Sequence, residues 1–198
     1  MSKSQINLEN SAFLIMDYQL FALQNYLPEE AAQNIIKNTK KLLGTIHNKN
    51  IPVIYITVQF NDGYPEISSK NTVFSQIKEQ GLFKKNDPLT QIHPDIKPNI
   101  NDIEVTRNRI GSFSFTNLDL ILKANKIDTL ILAGLTTSGV VLSTVRQAFD
   151  LDYKLIVIED CCSDPDPDIQ EILMKKILPQ HSSVLSINEA INLCAYIR

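Results

Sequence analysis

The chain has 198 residues, with 19 lysines and arginines against 22 aspartates and glutamates, a net charge of −3. That length buries roughly two thirds of the unfolded surface, enough for one domain over residues 1–198. The mild, scattered charge argues against a nucleic-acid partner, no apolar run nears the ~20 residues of a membrane span, and the polar opening MSKSQINLENS lacks a signal peptide's apolar middle.

Three cysteines, Cys161, Cys162 and Cys194, are too few and too unevenly placed for a disulfide framework. Free thiols point to the cytoplasm.

The run Ser11–Met16 reads as a buried strand ending in the carboxylate of Asp17, and Tyr18–Tyr26 as a connector. Pro28, Glu29 and Glu30 open a helix, because proline suits the first turn and acids suit the positive end of the helix dipole. Its apolar face is Ile35, Ile36, Leu42, Leu43 and Ile46, and it stops near Asn48–Asn50. Pro52–Val58 is a second strand, rich in β-branched residues. Residues 59–101 form a long mixed segment with a weakly helical piece around Val73–Gln80; such a length points to a lid or another functional loop.

Ile103–Arg107 is a third strand and Thr116–Lys126 a helix with Leu118, Leu120, Ile121 and Leu122 as its apolar content. Thr129–Ala133 is a fourth strand. A turn of small and hydroxyl residues follows, Gly134 to Gly139, then a helix with Val141, Val145, Ala148 and Phe149 on one stripe. Tyr153–Ile158 is a fifth strand. A helix from Asp164–Pro167 encloses Ile169, Ile172, Leu173, Met174 and Ile177; then come a short strand, Ser183–Ile187, and a closing helix, Asn188–Ile197.

Strands alternate with helices from end to end, which gives βαβ units, a parallel sheet and one doubly wound α/β fold. The strand, turn and helix of residues 128–150 aim backbone N–H groups at the carboxyl end of the sheet, where ligands bind in such folds.

Three stretches, LIMDYQ at 14–19, VTRNRIGSFSFTNLD at 105–119 and LAGLTTSGVVLSTVRQAFD at 132–150, resemble the isochorismatase-like hydrolase superfamily. That superfamily also holds nicotinamidases, ureidoacrylate amidohydrolases and other cysteine amidases. The resemblance implies a Rossmann-like six-stranded sheet in the order 3-2-1-4-5-6 and a homodimer or homotetramer. Its amidases use an aspartate, a lysine and a cysteine. Asp17 matches the aspartate, but Arg107 stands at the lysine position and Val140 at the cysteine position. Covalent amide hydrolysis therefore lacks its nucleophile. Isochorismatases also have a small residue in place of the cysteine, with the aspartate as general acid on a vinyl ether, so hydrolysis of isochorismate or a relative is the favoured reading. An amidohydrolase of a small C–N substrate and a catalytically lapsed binding protein are the alternatives.

The resemblance further implies a non-proline cis peptide at Leu135–Thr136, with the Thr136 and Val140 N–H groups forming an oxyanion hole. Gln59 matches a substrate-contacting glutamine, Phe113 an aromatic near the site, and Gln19, Leu135, Thr137, Ser138 and Gly139 join the substrate-binding set. Nicotinamidases hold a metal near the second strand with an aspartate and histidines. No histidine lies near Gln59, so no metal and no cofactor are expected.

On chemistry alone, Asp17 at the end of an apolar strand is desolvated, which raises its pKa and suits a proton carrier; a turn or cap role is the alternative. Arg107 stays charged, so its roles are to clamp a substrate carboxylate or steady an oxyanion, and Arg109 could take its place. The hydroxyls of Thr136, Thr137 and Ser138 fit turn formation and capping better than nucleophilic attack, since no histidine base adjoins them. The cysteines read as structural, and His47, His93 and His181 have no ligand spacing.

Overall fold

Apolar runs become the middle of a sheet because a strand covered on both faces has no polar side to show. The computed structural model describes residues 8–195; residues 1–7 of the polar opening and residues 196–197 of the expected closing helix lie outside them. β1 (Ser11–Met16), β2 (Val53–Val58) and β4 (Thr129–Leu135) are buried along their whole length. β3 (Ile103–Arg107), β5 (Lys154–Ser163) and β6 (Ser183–Leu185) complete one six-stranded sheet in the order β3-β2-β1-β4-β5-β6. Every pairing is parallel.

Helices cover both faces. α1 (Leu20–Asn25), α2 (Glu29–Asn48) and α7 (Ile187–Ala195) lie on one, where Leu42 and Ile46 of α2 and Ala190 and Cys194 of α7 pack with Phe13, Ile15 and Ile131. α4 (Leu118–Ala124), α5 (Leu142–Asp150) and α6 (Pro167–Ile172) lie on the other, where Leu118, Leu122, Val141 and Val145 pack with Leu14, Ile54 and Leu132. α3 (Thr72–Gln80) belongs to the long segment after β2, opened by the Asn71 side chain and closed by Gly81 at φ 70°. Among the described residues no helix is long and apolar enough to cross a membrane.

Several expectations change. The connector after β1 contains α1. β4 continues through Gly134 and Leu135, and β5 runs on to Ser163, so Cys161 and Cys162 lie inside a strand instead of after it. A shift of register between Leu132 and Gly134 makes room, with Leu132 opposite Val157 but Gly134 opposite Cys162. The turn after β4 is a single π-helical turn, Thr137–Val141, leading into α5. Four residues given to apolar faces, Leu120, Phe149, Ile169 and Ile172, are exposed; in α4 the buried Leu118 and Leu122 lie one turn apart, which puts Leu120 on the opposite side.

Gly134 lets β4 run close to β1 just before the turn. A Cβ there would lie 3.0 Å from the Met16 Cβ, 3.1 Å from the Met16 carbonyl oxygen and 3.1 Å from Val141 Cγ2. Gly134→Ala should therefore cost about 1–3 kcal/mol through overpacking against backbone. Urea unfolding checks this, and an unchanged midpoint would show that the strand ends give way freely.

Candidate active site

The chain leaves β1 towards α1 and α2 on one face and leaves β4 towards α5 on the other. This divergence opens a crevice at the carboxyl ends of β1 and β4, the switch point where open α/β sheets bind ligands. Asp17 stands at its floor, directly after β1, with φ 59°, a left-handed conformation that aspartate tolerates better than most residues. Its backbone N–H donates to the Ile56 carbonyl at 2.9 Å, so the carboxylate is anchored to the sheet.

Arg107 ends β3, two strands away, with β2 between. Sheet spacing puts β1 and β3 roughly 10 Å apart, a gap that the long arginine side chain spans. Its Nε donates to Asp17 Oδ1 at 3.2 Å and its Nη2 to Asp17 Oδ2, a bidentate pair, while Nη1 donates to the Arg109 carbonyl. Both side chains are under one tenth exposed. Burial pushes the Asp17 carboxyl above the usual carboxylate range, and the Arg107 charge and its hydrogen bonds pull it back by a lesser amount.

Above the pair lies a cavity of about 190 Å³. Leu135, Thr136, Gly139 and Val140 form one wall. The Leu135–Thr136 peptide bond is cis. The Thr136 hydroxyl accepts the Gly139 N–H at 3.2 Å, and the buried Asp164 carboxylate accepts the Ser138 N–H at 2.7 Å, so the turn is held from both sides. The roof comes from the long segment: Val73, Phe74 and Ile77 of α3, with Phe83 after it. Phe60, Tyr64, Ile67, Phe74 and Phe83 form a third apolar cluster that joins this roof to the end of β2. Ala22 and Tyr26 close the side, and burial together with the Asp17 charge raises the Tyr26 hydroxyl pKa.

The structure thus brings Asp17, Arg107, Leu135, Thr136, Gly139 and Val140 together. It does not bring Gln19, Gln59, Phe113, Thr137 or Ser138 into the cavity. The Gln19 amide is fully buried and bridges the Val58 N–H (2.9 Å), the Val58 carbonyl (3.0 Å) and the Thr90 carbonyl (2.7 Å), so no polar atom is left for a substrate. Gln59 turns back to the Thr57 hydroxyl at 3.3 Å. Phe113 packs on Tyr153, ring centroids 5.8 Å apart. Thr137 is fully buried with no partner for its hydroxyl among the described residues, and Ser138 is exposed.

Arg107 as a free anion clamp is likewise corrected, since Asp17 occupies the fork of its guanidinium. Arg109 does not replace it: its Nη1 donates to the Glu66 and Asn108 carbonyls, and its guanidinium lies over the Phe115 ring at 5.4 Å. Cys161 and Cys162 are buried away from the cavity, and burial pushes the Cys161 thiol up to about 12 and raises Cys162 as well. Among the described residues no three metal-ligating side chains cluster. Sequence reasoning missed Tyr26, Phe74, Phe83 and Asp164. The aromatic content of the long segment was the available signal for the roof; Asp164 gave none, because its role depends on β5 running past Ile158.

Residues 11–189 match the model of the Isochorismatase domain. An uncharacterized isochorismatase family protein of Bacillus subtilis is 28% identical over 180 residues, 91% of this chain and 92% of that one. N-carbamoylsarcosine amidase of an Arthrobacter species is 29% identical over 139 residues, 69% of this chain and 52% of that one. A cysteine hydrolase from Pseudomonas syringae pv. phaseolicola superposes with a TM-score of 0.88 at 21% identity, over 98% of this chain and 96% of that one. With the match running over residues 11–189 of its 198, the chain belongs to the isochorismatase family of hydrolases.

Proposed function

We propose that the chain hydrolyses a small molecule by acid–base catalysis at Asp17, without a covalent intermediate. The observation that carries this reading is the pairing of a buried, ion-paired Asp17 with Val140 in the same cavity: a proton carrier is present, and among the described residues no thiol lines the cavity. Burial favours the protonated carboxyl and Arg107 the ionised one, so Asp17 is suited to give a proton and take it back.

A vinyl ether asks for little more than this. Asp17 gives its proton to the terminal alkene carbon, and the resulting oxocarbenium ion is captured by water. The Asp17 carboxylate takes a proton from that water, and the adduct collapses to a carbonyl compound and an alcohol. Isochorismate itself fits less well than the sequence implied, because it carries two carboxylates and, among the described residues, the one cation lining the cavity is committed to Asp17. Attack of water on a C–N substrate is the second reading. It is favoured by the N-carbamoylsarcosine and ureidoacrylate amidases among the relatives, and it would use the Thr136 and Val140 N–H groups as an oxyanion hole.

A three-substrate assay tests the proposal: acetaldehyde release from phenyl vinyl ether, ammonia release from benzamide, and pyruvate release from isochorismate. Turnover of at least one is expected, with kcat lowered about 10²- to 10⁴-fold in Asp17→Asn. Turnover that survives in folded Asp17→Asn, or none from the folded wild type, would sink the acid–base reading.

Arg107→Gln tests the coupling within the pair. Removing the cation deletes the influence that lowers the Asp17 pKa, so the carboxyl stays protonated to higher pH and the descending limb of an acid-catalysed rate should move to higher pH. Stability follows the same sign. With its folded pKa raised further, Asp17 in the variant contributes stability below its unfolded value near 3.8 and loses it as pH rises through the folded value. The deficit of the variant against wild type should therefore be small in acid and approach about 3–5 kcal/mol near neutrality. Urea midpoints across pH read it directly, and a deficit independent of pH would mean that the two groups are not coupled.

A further inference from the structure

A cavity that takes a charged ligand needs a counter-charge free to meet it, because a desolvated ion without a partner is strongly disfavoured. Here the two charges at the floor are committed to each other. Arg107 points Nε and Nη2 at the Asp17 carboxylate and Nη1 at the Arg109 carbonyl. Among the described residues no other cationic side chain lines the cavity.

The walls agree with this balance. Val58, Val73, Phe83, Leu135 and Val140 are apolar, and Thr136 and Tyr26 add only neutral hydrogen-bonding groups. The aromatic rings are held in place. Phe83 meets Phe21 edge to face with centroids 4.9 Å apart, and Phe74 meets Phe60 edge to face at 5.8 Å. Phe74 and Phe83 therefore line the cavity as oriented, packed rings.

We infer that the cavity takes an uncharged molecule with a planar apolar body and one polar group, and rejects carboxylates of the same shape. This rests on reading the cavity as the substrate site. An entering carboxylate would face the Asp17 charge, and could take the Arg107 charge for itself only by displacing Asp17, leaving that buried carboxylate unpaired. A neutral carbonyl meets no such obstacle: it can accept from a spare guanidinium N–H or from the Tyr26 hydroxyl, which stays protonated.

Acetophenone and benzoate share ring and outline and differ in charge, so isothermal titration calorimetry of the full chain at neutral pH tests this directly. Acetophenone should bind saturably and benzoate about tenfold or more weakly. Phe74→Ala should weaken acetophenone. Asp17→Asn, with folding checked by circular dichroism, should reverse the order, because Arg107 is then an unpaired cation. Benzoate binding wild type as tightly as acetophenone, saturable binding of neither, or acetophenone binding indifferent to Phe74→Ala each overturns the inference. The outcomes separate from those of turnover. Asp17-dependent hydrolysis in a protein that prefers benzoate keeps the chemistry and discards the substrate class. Selective acetophenone binding without hydrolysis of any test substrate does the reverse.

Discussion

The bidentate pair between Asp17 and Arg107 is the constraint on which the site depends. Each charge is buried at the carboxyl edge of a sheet whose central strands are wholly apolar, so each is compensated by the other. The pair ties β1 to β3 across β2, and so fixes the floor of the crevice that the chain's divergence after β1 and β4 opens. It also sets the electrostatics above it. A floor that is internally neutral leaves shape, apolar contact and a few neutral hydrogen bonds as the means of recognition, while keeping one group that can exchange a proton.

The sheet was legible in the sequence because its central strands are continuous apolar runs. β3 is legible to the residue, since it ends where the apolar pattern ends, in Arg107. The site was half legible. Asp17, Arg107, Leu135, Thr136, Gly139 and Val140 do meet at one cavity, because they lie in motifs at strand ends, where the topology makes the chain converge. Gln19 was misread for an instructive reason: a polar residue two places after Asp17 looks like part of a site, yet a fully buried glutamine is bound by its own hydrogen bonds, here to Val58 and Thr90. The roof was legible only as a long segment with a helical piece, not residue by residue. Phe60, Phe74 and Phe83 are placed by packing on one another and on Phe21, and such contacts between non-periodic residues leave no spacing to read.

Val140 changes the chemistry of the turn without dismantling it. The turn is organised by groups that do not depend on the side chain at position 140: the Thr136 hydroxyl on the Gly139 N–H, and the Asp164 carboxylate on the Ser138 N–H. A backbone device of this kind does not depend on a thiol at position 140. Val140 lines the cavity with Leu135 and Val58 as part of an apolar wall.

Taken singly, Val140 and Arg107 look like the losses that accompany a lapsed catalyst. Taken together they argue otherwise. Stability does not call for a buried ion pair, because apolar side chains of similar volume in such a place are often as stable or more so. A cavity under no demand but folding could fill its floor with aliphatic groups to match its walls. Instead the chain keeps a carboxylate there and positions a guanidinium from two strands away to neutralise it. The arrangement places a titratable group, desolvated and oriented, at the floor of the cavity, which is what the proposed acid–base role requires.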